Sequence, residues 1–321
     1  MVPYSWLEDA AQRLESHIRQ TPLTYDPHND LYLKWENHQL TGSFKARGAL
    51  NKVLSLQPWE QEQGLVTASA GNHGQGVALA GNLVGCPVKV FASDHAVPAK
   101  IQAMRDLGAE LILVPGGYGE AEAAGLAYVA ANGGTWISPY NDGQVIAGQG
   151  TLGIETWQQL PPLPQSCWIV PVGGGGLISG IGAALKSEEG PARTDEIHLI
   201  GVQSEASAFA YHLFHDGTQE NVVELDSLAD GLAGPVEQDS LTIPLMRRYL
   251  DDLRLVSEQE IARAITYAWE KYQERLEGSA AVALAAALTG VVEFRPAVII
   301  LSGGNIQPEM HQQILAGSYE V

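Results

Sequence analysis

The chain of 321 residues exceeds the usual size of one compact core and falls short of three domains, so we expect one or two domains. Hydrophobic residues make up 45% and charged residues 17% of the chain, which excludes a disordered protein and a coiled coil. A formal net charge of −19 repels nucleic-acid backbones and anionic lipid, so we expect neither nucleic acid nor a membrane as a partner.

The first predicted helix begins close to the N-terminus, where Ser5 and Glu8 have the spacing of a capping box. Its apolar stripe consists of Leu7, Ala10, Leu14 and Ile18. No basic segment followed by an apolar one precedes this helix, and no apolar run reaches the ~18 residues that cross a bilayer. A second capping box, Ser257 with Glu260, predicts the start of a later helix.

Short apolar runs alternate with helix-like stretches along the chain, which is typical of β-α units around a parallel sheet. Several runs are apolar on both faces, as a sheet covered by helices requires. The predicted strands are 31–36, 65–68, 88–91, 111–114, 135–138, 167–172, 198–202 and 297–301. We therefore predict the α/β class. Residues 55–141 would form a small domain, and residues 1–54 and 142–321 a large one.

Four loops place small or polar residues directly after a predicted strand and next to a predicted helix start. Open α/β sheets bind ligands at such positions. The loops are TGSFKARGA (41–49), SAGNHGQG (69–76), PVGGGGLISG (171–180) and LSGGN (301–305).

Lys45 lies in the first of these loops, inside the first turn of a predicted helix. The positive end of a helix disfavours an ammonium group, so the pKa of this lysine should fall. A lysine with a lowered pKa is a good nucleophile for Schiff-base chemistry. The alternative is an ordinary solvated surface lysine.

The second loop contains Ser69, Ala70 and Gly71, whose backbone amides would be exposed and able to hold a carboxylate or phenolic oxygen, followed by Asn72 and His73. His73 has no carboxylate nearby in the sequence, so a packed histidine is the alternative to a catalytic one.

The tetraglycine Gly173–Gly176 follows an apolar strand and precedes a predicted helix. Consecutive backbone N–H groups without side chains can converge on a phosphate, helped by the helix dipole. No G-x-G-x-x-G pattern is present, and Lys186 lacks the preceding glycine of a Walker loop. Close packing of strand against helix is the alternative role for these glycines.

Cysteine and histidine spacing gives no metal or disulfide signature. Cys86 and Cys167 lie far apart and outside any C-x-x-C spacing, which favours a reducing, cytoplasmic location. His212 and His215 have i, i+3 spacing but lack a third ligand, so a surface helix face is the preferred interpretation. Ser302, after the last predicted strand, would by itself be a helix cap or turn residue.

In this order the four loops resemble those of the fold type II pyridoxal-phosphate enzymes, specifically the threonine/serine dehydratase and serine racemase family. The likeness runs from LKWENHQLTGSFKARGA through SAGNHGQGVALA, IAGQGT and PVGGGGLISG to LSGGN. It implies a tryptophan synthase beta-like fold with two domains, each built on a mainly parallel twisted sheet. It also implies pyridoxal 5'-phosphate as cofactor, a small amino-acid substrate over which the small domain closes, and a homodimer.

The resemblance implies a cofactor role for several residues. Lys45 would hold the cofactor through a Schiff base, with Phe44 and Gly231 against the two faces of its ring. Asn72 would bond the ring hydroxyl. The residues that would hold the phosphate are Gly173, Gly174, Gly175, Gly176 and Leu177.

Two further residues complete the implied site. Ser302 would face the pyridine nitrogen, and Glu277 would lie near the ring edge. Because a serine hydroxyl cannot hold a pyridinium proton as an aspartate would, negative charge on the substrate should be short-lived. Rapid elimination is therefore favoured over transamination.

The resemblance also implies how the substrate binds. Its carboxylate would lie on the backbone amides of Ser69, Ala70, Gly71, Asn72 and His73. Lys45 would remove the α-proton, and loss of the β-hydroxyl would lead to a 2-oxo acid and ammonia. Threonine and serine are the expected substrates.

Two departures separate dehydratases from racemases. Racemases of the family have a serine where this chain has Ala70, so reprotonation from the face opposite Lys45 should be poor. Tyr140 matches a position that is aromatic in dehydratases and asparagine in racemases. Dehydration is therefore the leading interpretation. A serine or aspartate racemase is the first alternative, and a non-catalytic binder of amino acids or cofactor the second.

Two other departures from the family pattern concern metal binding and regulation. Gln203 and Phe209 occupy positions where relatives hold a cation, so we expect no bound metal. The chain ends soon after LSGGN, so the resemblance implies no C-terminal regulatory domain and no feedback control by isoleucine.

Overall fold

The computed structural model describes residues 2–191 and 196–319. The strands are β1 (Leu23–Asp26), β2 (Leu31–Trp35), β3 (Leu65–Ala68), β4 (Val88–Ser93), β5 (Glu110–Val114), β6 (Thr135–Trp136), β7 (Ser166–Pro171), β8 (Ile197–Ser204), β9 (Asp252–Val256) and β10 (Ala297–Leu301). The α-helices are α1 (Tyr4–Leu14), α2 (Lys45–Ser55), α3 (Pro58–Glu62), α4 (Asn72–Val84), α5 (Pro98–Asp106), α6 (Tyr118–Asn132), α7 (Gly143–Gln159), α8 (Gly176–Lys186), α9 (Phe209–His215), α10 (Thr242–Tyr249), α11 (Glu258–Tyr272), α12 (Gly278–Leu288) and α13 (Pro308–Leu315).

Within the described residues the strands form two sheets. The 6-stranded sheet has the order β1-β2-β10-β7-β8-β9 and is parallel except for the pairing of β1 with β2. The 4-stranded sheet has the order β5-β4-β3-β6 and is parallel throughout. The prediction of an α/β fold with mainly parallel sheets is confirmed.

Helices cover both faces of the larger sheet. On β7, Trp168 and Val170 point into a core shared with α7, α8 and α10, while Cys167 and Ile169 point into a second core shared with α11 and α12. Successive side chains of a strand point to opposite faces, so a strand between two helical layers must be apolar at every position. This explains why β7 reads as an uninterrupted apolar run.

Each predicted strand overlaps an observed one, but β1 and β9 were not predicted. The capping box of Ser257 and Glu260 is confirmed at the start of α11. The box predicted for Ser5 and Glu8 is wrong, because α1 already begins at Tyr4 after Pro3 and has no side-chain cap. The stripe on α1 is buried at its first three positions, whereas Ile18 lies beyond the helix end and packs against the core.

The smaller sheet contains all four strands between residues 65 and 136. The domain boundaries at residues 55 and 142 stay a prediction. Cys86 and Cys167 are both free thiols. Among the described residues, no helix combines the length and the apolar character needed to cross a membrane.

Candidate active site

Lys45 is the first residue of α2 and is joined to the loop after β10 by backbone contacts. The N–H of Phe44 donates to the carbonyl of Ser302 at 3.0 Å, and Ser43 forms a β-bridge with Gly303. The predicted lysine and the predicted serine loop are therefore held next to each other, although they are distant in the sequence.

The Lys45 side chain is half-buried, and its ammonium has no ion-pair partner among the described residues. Its Nζ donates to the carbonyl of Pro139 at 2.9 Å and lies 5.3 Å from the ring centre of Phe44. Burial lowers the pKa of Lys45 to about 8, and the charge of Glu277 only partly opposes this shift. Lys45 is thus no solvated surface lysine, and a larger share of its amine is neutral near pH 7 than in an ordinary lysine.

The loop after β3 lies beside Lys45 because α4 packs on the first turn of α2. A Cβ at Gly76 would lie only 3.1 Å from the carbonyl oxygen of Lys45, so this approach needs a glycine. Gly71 is the N-cap of α4 without a side-chain cap, and a Cβ there would meet nothing within 4 Å. The space beside Gly71 is therefore open, and this glycine gives no side-chain cap to the first N–H groups of α4.

The other members of this loop are largely occupied by protein contacts. The hydroxyl of Ser69 accepts from the N–H of Gly71 at 3.1 Å, and Ala70 is half-buried. His73 Nε2 lies 3.0 Å from the carbonyl oxygen of Ile137 and must donate to it, since a carbonyl only accepts. Its Nδ1 is buried and has no partner. Burial, helped by the charge of Lys45, lowers the pKa of His73 to about 3, which matches the packed, neutral alternative.

Asn72 and Glu277 form a partly buried polar contact. Asn72 Nδ2 donates to Glu277 Oε1 at 2.7 Å, and Asn72 Oδ1 accepts from Asn305 Nδ2 at 2.7 Å. Burial raises the pKa of Glu277 to about 7, with the charge of Asp230 acting in the same direction. The carboxyl therefore changes its protonation state near neutral pH.

The tetraglycine ends β7 and begins α8. Gly175 is the N-cap at φ +85° and provides no side-chain cap, so within residues 2–191 and 196–319 the first N–H groups of α8 have no capping side chain. A Cβ at Gly174 would lie 2.4 Å from the ring of Tyr140, and one at Gly173 would lie 3.0 Å from the Cα of Leu232. Both interpretations of these glycines thus have a geometric basis: close packing, and free donors for an anion.

Five other predicted residues lie around the same centre. The Tyr140 hydroxyl accepts from the N–H of Glu237 at 3.0 Å, which fixes the ring against the glycine loop. The N–H of Gly231 donates to the hydroxyl of Ser279 at 2.9 Å. Ser302 is 3% exposed, Leu177 5%, and Phe44 is half-buried.

The predicted absence of a metal stays a prediction. Gln203 Oε1 accepts from the N–H of Tyr211 at 3.1 Å, and Phe209 is buried at the start of α9. Across residues 2–191 and 196–319, no group of three His, Cys, Asp or Glu side chains could hold an ion, and His212 with His215 belongs to no such group.

Sequence reasoning missed two groups of residues near the site. The first consists of Asn305, Lys100, Asp230, Glu237 and Thr242. Asn305 belongs to the predicted LSGGN loop and could have been found there. Lys100 pairs with Asp230 at 3.0 Å, and the Thr242 hydroxyl donates to the carbonyl of Gly174 at 2.6 Å. These partners are so distant in sequence that spacing carries no signal for them.

The second missed group is a buried ion cluster formed by Lys34, Glu36, Arg47 and Glu155. Arg47, on α2, bonds Glu36 at 2.8 Å and Glu155 at 2.9 Å, while Lys34 bonds Glu155 at 2.5 Å. The side chains of Lys34, Glu36 and Arg47 are 0% exposed. The cluster attaches the helix that carries Lys45 to β2 and α7.

The residues present fit pyridoxal phosphate, the cofactor that the sequence resemblance implies. Lys45 offers an amine without a carboxylate partner, and α8 offers uncapped N–H groups to a phosphate. Phe44 offers an aromatic side chain beside that amine. The individual residue roles stay predictions.

Comparisons with known proteins agree with this geometry. A family profile described as pyridoxal-phosphate dependent enzyme matches residues 14–303. The L-threonine ammonia-lyase of Thermotoga maritima is 39% identical over 322 residues, covering 98% of this chain and 78% of that protein. The solved structure of threonine deaminase isoform 2 from Solanum lycopersicum has a TM-score of 0.87 and 32% identity, with 98% and 93% of the two chains covered. That of serine racemase from Dictyostelium discoideum has a TM-score of 0.83 and 31% identity, with 95% and 99% covered.

Proposed function

Because the chain belongs to the family of pyridoxal-phosphate dependent enzymes, we propose that it eliminates water from L-threonine or L-serine and that hydrolysis of the resulting enamine, which takes up one water, gives a 2-oxo acid and ammonia. The observation that carries this proposal within the site is the half-buried amine of Lys45, which has no ion-pair partner among the described residues, together with the uncapped start of α8 in the glycine loop. The similarity to threonine ammonia-lyases along nearly the whole chain supports the same reaction.

Different residues of the site bind different parts of the cofactor. Pyridoxal phosphate, when bound, supplies an electron-poor ring that stabilises negative charge on the α-carbon of an amino acid. Lys45 Nζ holds it covalently, and the N–H groups of Gly173–Gly176 and Leu177 hold its phosphate. Phe44 and Gly231 contact the ring faces.

The same lysine amine accepts the α-proton of the substrate. Its pKa of about 8 suits a base that must be neutral near physiological pH and still bind a proton. The backbone N–H groups of Ala70, Asn72 and His73, in the loop that leads into α4, bind the substrate carboxylate. The N–H groups of Ser69 and Gly71 already donate to the carbonyl of Phe91 at 2.9 Å and to the hydroxyl of Ser69 at 3.1 Å. Ser302 would face the ring nitrogen, and its hydroxyl would not hold a proton on that nitrogen as an aspartate would. The unprotonated ring would shorten the lifetime of the negative charge and favour loss of the β-hydroxyl.

The structural similarity to serine racemase supports racemisation as the second candidate. Two residues argue against it: Ala70 supplies no hydroxyl for the face opposite Lys45, and the aromatic ring of Tyr140 packs on the glycine loop. The two reactions differ in product, since a racemase accumulates D-serine before pyruvate.

A timed reaction of the holoenzyme with L-threonine, L-serine and 3-hydroxyaspartate tests the proposal. We expect 2-oxo acid from L-threonine or L-serine, and chiral chromatography should detect no D-serine ahead of pyruvate. The Lys45→Ala protein is the control. Accumulation of D-serine before pyruvate would establish the racemase instead.

Assembly and location follow the resemblance. We propose a homodimer in the cytoplasm, with residues 55–141 as a small domain that closes over the substrate. Light scattering of the purified holoenzyme at several concentrations tests the dimer. A constant monomer mass would contradict it.

A further inference from the structure

We propose that Asn305 is a positioning residue. It fixes the side-chain amide of Asn72 so that the nitrogen of that amide, and not its oxygen, faces the cofactor site. The inference rests on the proposed function, in which Asn72 bonds the ring hydroxyl of pyridoxal phosphate.

A chain of three hydrogen bonds sets this orientation. Asn305 Nδ2 donates to the carbonyl of Thr41 at 2.8 Å, and a carbonyl can only accept, so the nitrogen end of Asn305 must point there. The same nitrogen lies 2.7 Å from Asn72 Oδ1. The nitrogen of Asn72 is therefore turned the other way, where it donates to Glu277 Oε1 at 2.7 Å. Each oxygen and nitrogen assignment follows from the preceding one, starting at a backbone carbonyl.

The backbone at the start of this chain has an unusual conformation. Thr41 has a φ of +60°, a left-handed conformation that β-branched residues rarely adopt, and Gly42 follows at φ +71°. A Cβ at Gly42 would lie 2.6 Å from Asn305 Oδ1, and the Gly304 N–H donates to the Gly42 carbonyl at 3.0 Å. The turn thus places the Thr41 carbonyl where it can accept from Asn305.

The orientation matters because, once Glu277 is ionised, both groups on the site side of Asn72 are acceptors. An ionised Glu277 and a deprotonated ring oxygen can each accept a hydrogen bond but cannot donate one. If the Asn72 amide were reversed, its oxygen would face these acceptors and repel them. Asn305 therefore supplies no contact of its own to the cofactor but keeps Asn72 in its donor orientation.

A double-mutant cycle with Asn72 separates this role from a general structural one. Asn305→Leu keeps the approximate shape of the side chain and removes both hydrogen bonds. We expect the dissociation constant of pyridoxal phosphate, measured by titrating apoprotein with pyridoxal phosphate, to rise about tenfold in Asn305→Leu. In the Asn72→Ala protein, which itself binds the cofactor more weakly, adding Asn305→Leu should change the constant by less than about twofold.

The matched control is Asn37→Ala. Asn37 lines the same open cavity of about 390 Å³ as Asn305, but its amide bonds Glu274 rather than Asn72. Its replacement should leave cofactor affinity within about twofold of the unchanged protein. If Asn305→Leu does not fold, Asn305→Ser takes its place, because one hydroxyl proton cannot serve both Thr41 and Asn72.

Three results would overturn the inference: unchanged affinity in Asn305→Leu, an equal loss with and without Asn72, or unchanged affinity in Asn72→Ala. The last result would also remove the role assigned to Asn72. The proposed reaction is judged separately, by 2-oxo acid formation in the unchanged protein and its loss in Lys45→Ala.

Discussion

Lys34 is fully buried and Lys45 is half-buried, and the two amines have opposite surroundings. Lys34 Nζ has a carboxylate, a backbone carbonyl and a side-chain amide as partners: Glu155, Thr21 and Gln159. Lys45 Nζ donates only to the carbonyl of Pro139 among the described residues. One lysine sits within the buried ion cluster, and the other lies at the edge of the predicted cofactor site.

The contrast shows that burial alone does not make a lysine reactive. Desolvation lowers the pKa of both amines, but the charge of Glu155 opposes the shift at Lys34 at close range. The carboxylate of Glu155 stabilises the protonated form of Lys34 at close range. Lys45 has no such partner among the described residues, and its pKa falls to about 8. The cluster supports the fold of α2, and the unpaired lysine at its start is available for chemistry.

The largest expected effect comes from removing the reactive amine. Lys45→Ala should lower turnover by at least about 1000-fold, because the amine both holds the cofactor and moves the α-proton. Production of 2-oxo acid measures turnover, and thermal unfolding checks the fold. Lys89→Ala, which removes a surface lysine paired with Glu110, is the control and should retain turnover. Comparable turnover in the two variants would show that Lys45 takes no part in the reaction.

The next effect concerns stability. Lys34→Met removes a buried cation and leaves Glu155 with Arg47 as its remaining ion-pair partner. Breaking a buried pair from one side costs about 3–5 kcal/mol in the free energy of unfolding. Urea unfolding of the holoenzyme measures this cost. A loss below about 1 kcal/mol, as for a surface pair, would show that the cluster does not stabilise α2 as inferred.

In the apoprotein, Lys45→Met should change the free energy of unfolding in the opposite direction from Lys34→Met. The folded-state pKa of about 8 lies below the ordinary value of 10.5, so the charged amine destabilises the folded protein fully below pH 8. Removing it should raise the free energy of unfolding at pH 7 by about 1–3 kcal/mol. This gain should shrink as pH rises from 8 toward 10.5, where the amine is neutral in both states. A destabilised Lys45→Met apoprotein at pH 7 would show that Lys45, like Lys34, stabilises the folded protein, and would contradict the contrast between them.

The smallest effect sharpens the chemistry around Lys45. Ala70→Ser places a hydroxyl where racemases of the family carry one, so the variant should form a small amount of D-serine from L-serine while still producing pyruvate. Chiral chromatography detects the D-product against the unchanged protein as control. No D-serine in the variant would show that Ala70 is not what prevents racemisation.

Sequence patterns predicted the parts of the fold that depend on local apolar runs. The central strands were found because residues such as Trp168 and Ile169 are apolar on both faces. The edge strands β1 and β9 were missed because they include exposed positions, such as Tyr25 and Arg254, that weaken the apolar signal.

The site was predictable only where its residues lie in loops with a recognisable motif. Lys45 and the glycine loop were found in that way. The partner of Lys34 in the ion cluster lies 121 residues away, and Asn72 and Asn305 are separated by 233 residues. Because such contacts are created by chain crossing, no local pattern or spacing could have indicated them.

The proposed chemistry depends most on the covalent link between Lys45 and pyridoxal phosphate, and trapping this link is the most direct test. The holoenzyme would be reduced with borohydride, digested, and analysed by mass spectrometry for the phosphopyridoxyl group. We predict this group on the peptide that contains Lys45 and none on the peptide that contains Lys34. An adduct on a different lysine, or no adduct in protein saturated with pyridoxal phosphate, would contradict the account.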